Sequence, residues 1–124
     1  MAKKPYTITT NTPDRIIRIK LYVPVTRQLA CHFTHDIAQL EKNTKSSGIL
    51  YDMRGAPNIS SVMDNYAFAY EDLPRLKLSR QQRRAVLADP EDDSHHFPET
   101  FIRNTGHQLR VFKDEHQAIC WLKA

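Results

Sequence analysis

The stretch Gly48–Gly55 (GILYDMRG) constrains this chain more than any other. Ile49, Leu50, Tyr51 and Met53 are apolar or aromatic and nearly consecutive. A strand with one wet face alternates polar and apolar residues, whereas one covered on both faces reads as a continuous run. Lys45-Ser46-Ser47 before it and Ala56-Pro57-Asn58 after it carry turn chemistry. The run is too short for a membrane span. It predicts a buried central strand. Asp52 and Arg54 fall where that strand leaves the sheet, the end at which open α/β sheets bind ligands.

The rest of the chain fits around it. Tyr6–Thr10 and Arg15–Val23 read as two strands joined by the Asn11-Thr12-Pro13-Asp14 turn, an antiparallel hairpin. Thr26 is a good N-cap for a helix ending near Asn43, with Leu29, Phe33, Ile37 and Leu40 as its apolar stripe and Arg27, His32, Asp36 and Glu41 off it. Ser60 or Ser61 caps a second helix. Val62, Tyr66, Tyr70 and Leu73 share one of its faces, and Pro74 stops it. Arg84–Ala88 is a further buried strand. Phe97–Asn104 is a third helix with Phe97, Phe101 and Ile102 inward and Gly106 as its terminator. Leu109–Phe112 is the last strand, and Asp114 with Gln117 marks the start of the final helix, whose buried stripe is Ala118, Ile119 and Leu122. The order β-β-α-β-α-β-α-β-α predicts one α/β domain with an N-terminal hairpin and a mostly parallel sheet.

A chain of 124 residues is one domain's worth, and 26% charged with 40% hydrophobic residues is ordinary soluble usage. No apolar stretch follows Lys3-Lys4, which predicts no signal peptide and a cytoplasmic protein. Cys31 and Cys120 form no paired motif and read as free thiols in a reducing compartment. The net charge of +4 is unevenly placed: Arg75–Arg84 is basic, and Glu91, Asp92 and Asp93 follow as an acidic block. No aromatic is interleaved in the basic segment, which argues against nucleic acid and leaves Arg75, Lys77, Arg80, Arg83 and Arg84 as a solvated face.

Three pieces together form a pattern: GILYDMRG at 48–55, AVLADPEDDSHHFPET at 85–100 and GHQLRVFKDEHQAICWL at 106–122. In them the chain resembles the SpoIIAA-like family, a branch of the STAS domains with features shared with CRAL-TRIO lipid-binding domains. The resemblance implies successive βα units on a mostly parallel sheet. Anti-sigma-factor antagonists of the STAS type carry a phosphorylatable serine at the start of the helix after the Asp-bearing strand, where this chain has Ser60 and Ser61. Asp52-Met53-Arg54-Gly55 stands here in place of their Asp-Ser-Ser-Gly signature.

Candidate sites fall in two places. Asp52, Arg54, Ser60, Ser61 and Asp89 form a ligand or partner rim. There Asp52 and Asp89 either polarise a ligand or hold a cation, or else serve the local turns and Arg54. Met63, Tyr66, Phe68 and Tyr70 make the second helix richer in aromatics than one buried stripe requires, so one side lines a pocket or packs on a partner, or else a ring is simply exposed. Asp92, Asp93, His95, His96 and Glu99 lack metal-binding spacing and read as a solvated loop feeding a helix N-terminus. No GxSxG, phosphate loop or Cys–His turn is present. The expectation is a non-enzymatic cytoplasmic interaction module with no cofactor and no bound metal, binding a protein partner or itself near the second helix. The alternative is a carrier of a lipid or small apolar anion, in an internal pocket lined by Phe33, Tyr66, Tyr70 or Phe101 with a basic lip from Arg75–Arg84, and a third reading is a metal-dependent enzyme using Asp52 and Asp89.

Overall fold

The computed structural model describes residues 4–124; Lys3, part of the signal-peptide expectation, lies outside the described residues. Five strands form one sheet in sequential order: β1 (Tyr6–Thr9), β2 (Ile16–Leu21), β3 (Gly48–Asp52), β4 (Arg83–Leu87) and β5 (Gln108–Phe112). β1 pairs antiparallel with β2, and β2 through β5 are parallel. The GILYDMRG run is the central strand of a single α/β domain.

The parallel strands are joined by α1 (Arg27–Asn43), by a second helix in three parts, and by α4 (His96–Asn104). The second helix is α-helical over Val62–Ala67 (α2), π-helical over Phe68–Asp72 and α-helical again over Leu73–Leu76 (α3). Because strand order follows chain order, each crossover steps the same way, and all three pack on one face. That face carries Ile17, Ile19, Ile49, Tyr51, Val86 and Leu109 against Phe33, Ile37, Phe68, Leu73 and Ile102. Each such side chain removed from water contributes about 1.5–3 kcal/mol. Among the described residues the opposite face is covered by α5 (Glu115–Lys123), whose Ala118 and Leu122 pack on Ile16, Leu50, Ala85 and Leu87. Period-2 alternation thus delivers Ile49 and Tyr51 to one layer and Leu50 to the other, which explains the unbroken apolar run. Gly48 lies under α5, where an added Cβ would stand 2.8 Å from Leu122 Cδ2 and 3.1 Å from the Arg83 carbonyl oxygen.

The caps read from sequence are in place. Thr26, Ser61 and Asp114 side chains accept from the N–H groups of Leu29, Asp64 and Gln117 at 3.1, 3.1 and 2.9 Å. Gly106 follows α4 at φ +97°. On the edge strand β5, the N–H of Val111 donates to Glu99 Oε2 of α4 at 2.7 Å.

Three expectations are corrected. Pro74 does not stop the second helix: it sits in the first turn of α3, and the helix ends at Lys77, which is left-handed at φ 57°. The wider π turn just before Pro74 moves the carbonyl its ring would otherwise meet. The inward face of this helix is Asn65, Phe68, Ala69 and Leu73, while Val62, Tyr66 and Tyr70 are exposed. Asn65 turns inward to accept from Asn58 Nδ2 at 3.1 Å, and that contact sets the rotation. Phe97, expected inward, is exposed at the first turn of α4.

Candidate functional site

Asp52 and Asp89 emerge at the same edge of the sheet. Asp52 pairs in register with Leu87, and Asp89 lies two residues further along the β4 exit. Their carboxylates are committed to structure. Arg54 grips Asp52 with two bonds, Nε to Oδ1 at 3.0 Å and Nη2 to Oδ2 at 2.8 Å, and also reaches Glu115 Oε1 at 3.1 Å. Lys20 Nζ adds a contact to Asp52 Oδ1 at 3.4 Å. Burial pushes the Asp52 carboxyl up, but the Arg54 hydrogen bonds and Lys20 outweigh it and hold it below the usual carboxylate range. Asp89 Oδ2 accepts from the Gly55 N–H at 2.6 Å, tying the exit of β4 to the turn after β3. Together Asp52, Arg54 and Asp89 form a closed polar staple.

Beyond Arg54, the loop toward α2 is pinned by backbone bonds between Val25 and residues Pro57 and Ile59, at 2.8 and 2.9 Å. Asn58 accepts the Ser60 N–H at 2.9 Å. Ser60 is half-buried in this loop, and Ser61 is exposed as the N-cap of α2. Both serines border a cleft with Arg27, Cys31, Asp64 and Asp72. Arg27 spans it, 2.8 Å from Asp72 Oδ2 with Glu71 and Asp64 at 3.5 and 3.6 Å. The Cys31 thiol donates to Asp72 Oδ2 at 3.3 Å and is pushed up to about 11, chiefly by burial and then by that carboxylate. A thiol so poised is a poor nucleophile.

In the acidic-histidine loop, Asp92 Oδ1 takes both the N–H and the hydroxyl of Ser94, at 2.9 and 2.6 Å. Lys113 Nζ donates to the carbonyls of Asp89, at 2.9 Å, and of Asp92. Among the described residues no three His, Cys, Asp or Glu side chains converge to hold a metal ion.

The second-helix aromatics separate into two sets. Phe68 is buried in the core layer. Tyr66 and Tyr70 are 49% and 38% exposed and stack at 4.5 Å between ring centroids. Phe101 of α4 stands edge-on to Tyr66 at 5.7 Å, and Phe97 stacks on Phe101 at 6.1 Å. With Met63 at 76% and Phe97 at 56% exposed, these side chains make a continuous apolar patch across α2 and α4. Sequence reasoning found the α2 half. It missed Phe97, expected inward because Pro98 and Ile102 mark the helix without fixing its rotation, whereas Phe101 packs partly against the core as expected and shows its edge to Tyr66. Of the residues proposed for an internal ligand pocket, only Phe33 lines the cavity of about 70 Å³ under the helices, and Tyr66, Tyr70 and Phe101 lie outside it. Ligand sites commonly run to about 300–1,000 Å³, so this space does not take a lipid chain.

Three polar side chains expected in water are buried: the Glu41 side chain, placed off the α1 stripe, is 6% exposed, His95, placed in a solvated loop, is 4% exposed, and Arg84 is the third. Arg84, assigned to a solvated basic face, is 1% exposed and points into the helical layer. Its Nη1 lies 2.5 Å from Glu41 Oε1 and its Nη2 donates to the Ser79 carbonyl at 2.6 Å.

No family model matches this chain, and no curated protein matches it. Among solved structures, a lipoprotein from Streptococcus agalactiae is similar in fold at a TM-score of 0.51 and 8% identity. The match covers 88% of this chain and 49% of that one, so this chain spans about half the length of that lipoprotein chain. At that identity the likeness speaks to the fold alone.

Proposed function

We propose that this chain is a non-enzymatic interaction module that docks a protein partner, or a second copy of itself, through the aromatic patch of α2 and α4. The carrying observation is that Met63, Tyr66, Tyr70, Phe97 and Phe101 lie side by side, with four of the five exposed. Contiguous exposed apolar surface of this kind marks interaction sites, and aromatic side chains supply much of the energy at such interfaces. The commitment of Asp52, Arg54 and Asp89 to one another supports a structural role for the rim rather than a catalytic one. The resemblance to SpoIIAA-like regulators belongs to this proposal, as does a cytoplasmic location, which the free Cys31 and Cys120 favour.

Light scattering after size-exclusion chromatography, run from micromolar to millimolar protein, tests the self-association form. Affinity capture with the wild type and with Met63→Asp/Tyr66→Asp as bait tests the partner form. Concentration-dependent dimers, or captured partners, that are lost in the double variant support the proposal. A strict monomer whose captured set is unchanged by the double variant overturns it.

A further inference from the structure

The cavity between the sheet and the crossover helices has walls that are mainly apolar, among them Phe33, Met53, Phe68, Val86, Ile102 and Leu109. Thr34, Tyr51, Asn58 and Glu99 bring polar atoms to its wall, and so do Arg84 and His95, at 1% and 4% exposed. The last two each carry a buried nitrogen without a hydrogen-bond partner, Nε of Arg84 and Nε2 of His95. The rest of Arg84 is satisfied by Glu41, by the Ser79 carbonyl and by the Tyr51 hydroxyl at 3.2 Å. His95 Nε2 stands 3.4 Å from Asp92 Oδ2, a contact outside good hydrogen-bond geometry. Native interiors rarely leave such groups unpaired, and two on one cavity wall point to something that fills it.

The chemistry of the walls narrows the occupant. Arg84 Nε–H only donates, so the occupant presents an acceptor. Glu41 already balances the Arg84 charge and Glu99 is bonded to the Val111 N–H, so a net charge added to this largely apolar space would go uncompensated, and the occupant is neutral. Size follows from volume. An apolar cavity of about 150 Å³ admits benzene, with its six carbons, so about 70 Å³ takes roughly three or four non-hydrogen atoms. Water alone suits the site poorly, because a buried water wants about three polar partners and most of this wall is hydrocarbon. We propose that the cavity binds a small neutral aliphatic molecule bearing one hydroxyl or carbonyl oxygen, held by Arg84 Nε–H. The site stands independently of the aromatic patch, although Phe68 and Ile102 line it from the same helices that carry Tyr70 and Phe101 outward.

The test is a titration of methyl-labelled protein with 2-propanol, and separately with acetamide, read by NMR. Saturable shifts confined to the methyls of Met53, Leu73, Leu78, Val86 and Ile102 are expected. For so small a ligand the affinity should be no tighter than the order of 10 µM. Ile102→Phe, which fills the space, should abolish saturation. Glu41→Gln/Arg84→Met removes the donor and its partner together, so no lone charge is left buried, and should weaken binding tenfold or more. If Ile102→Phe does not fold, the double variant decides. Non-saturable shifts scattered over the surface, undiminished affinity in the double variant, or a crystal structure with ordered waters bonded to both Arg84 Nε and His95 Nε2 would overturn the proposal.

Discussion

Arg84 of β4 and Glu41 of α1 form an ion pair inside the helical layer, 2.5 Å apart, with side chains 1% and 6% exposed. Removing one partner of a buried pair strands the other charge, at a cost of about 3–5 kcal/mol. Glu41→Ala should therefore cost about that much in urea unfolding. Glu41→Gln/Arg84→Met should cost much less than the two single changes summed. A cycle in which the effects simply add would show that the pair is not coupled.

Acid should weaken the protein before its carboxylates titrate. Burial, then Arg84, then Arg80, depress His107 from 6.5 to about 4. Burial also lowers His95, against the opposing pull of Asp92. For a histidine with a depressed folded pKa, full stability is present above the unfolded value, where neither state is protonated. As pH falls from about 6.5 toward 4, the unfolded chain takes up a proton that the fold refuses, and stability is lost. For His107 the loss is about 1–3 kcal/mol after allowance for solvent screening. Melting temperature against pH should fall through this window, and His107→Gln should flatten part of the slope. An unchanged slope in the variant would remove His107 as its source.

The patch residues should separate binding from stability. Tyr66 is half exposed, so Tyr66→Asp should cost no more than about 1 kcal/mol. The same change should abolish dimer or partner capture. A large drop in melting temperature would mean that Tyr66 is holding α2 onto α4 rather than facing a partner.

The two serines before α2 should behave differently. Ser61 Oγ accepts the Asp64 N–H at 3.1 Å, so Ser61→Ala should cost about 1 kcal/mol. Ser60 bonds through its backbone to Asn58, so Ser60→Ala should stay within about 0.5 kcal/mol. Equal costs, measured by chemical denaturation, would count against this cap assignment.

Gly48→Ala should destabilise by about 1–3 kcal/mol, because its Cβ meets both Leu122 and the Arg83 carbonyl. Leu122 can swing its methyl aside, but the Arg83 backbone cannot. Adding Leu122→Ala should therefore fail to restore wild-type stability.

What could be read from sequence was local. The β3 run, the β1–β2 hairpin and the caps at Thr26, Ser61 and Asp114 depend on neighbours within a few residues, and each is where it was expected. The Arg84–Glu41 pair joins residues on different elements, and no periodicity in either segment announces it. The rotation of the second helix was misread because the π turn shifts the register that a fixed helical period assumes, and because Asn65 is drawn inward by Asn58. Half of the candidate patch was legible as an aromatic surplus on α2. The half on α4 required knowing which way that helix turns.

The Glu99 carboxylate on the outward N–H of Val111 bears on what this molecule does at high concentration. An open parallel edge invites another copy to add its own strand and then another, without end. Here the newcomer must first dislodge a bonded carboxylate and then lie against its negative charge. Growth into fibrils along β5 is thereby discouraged.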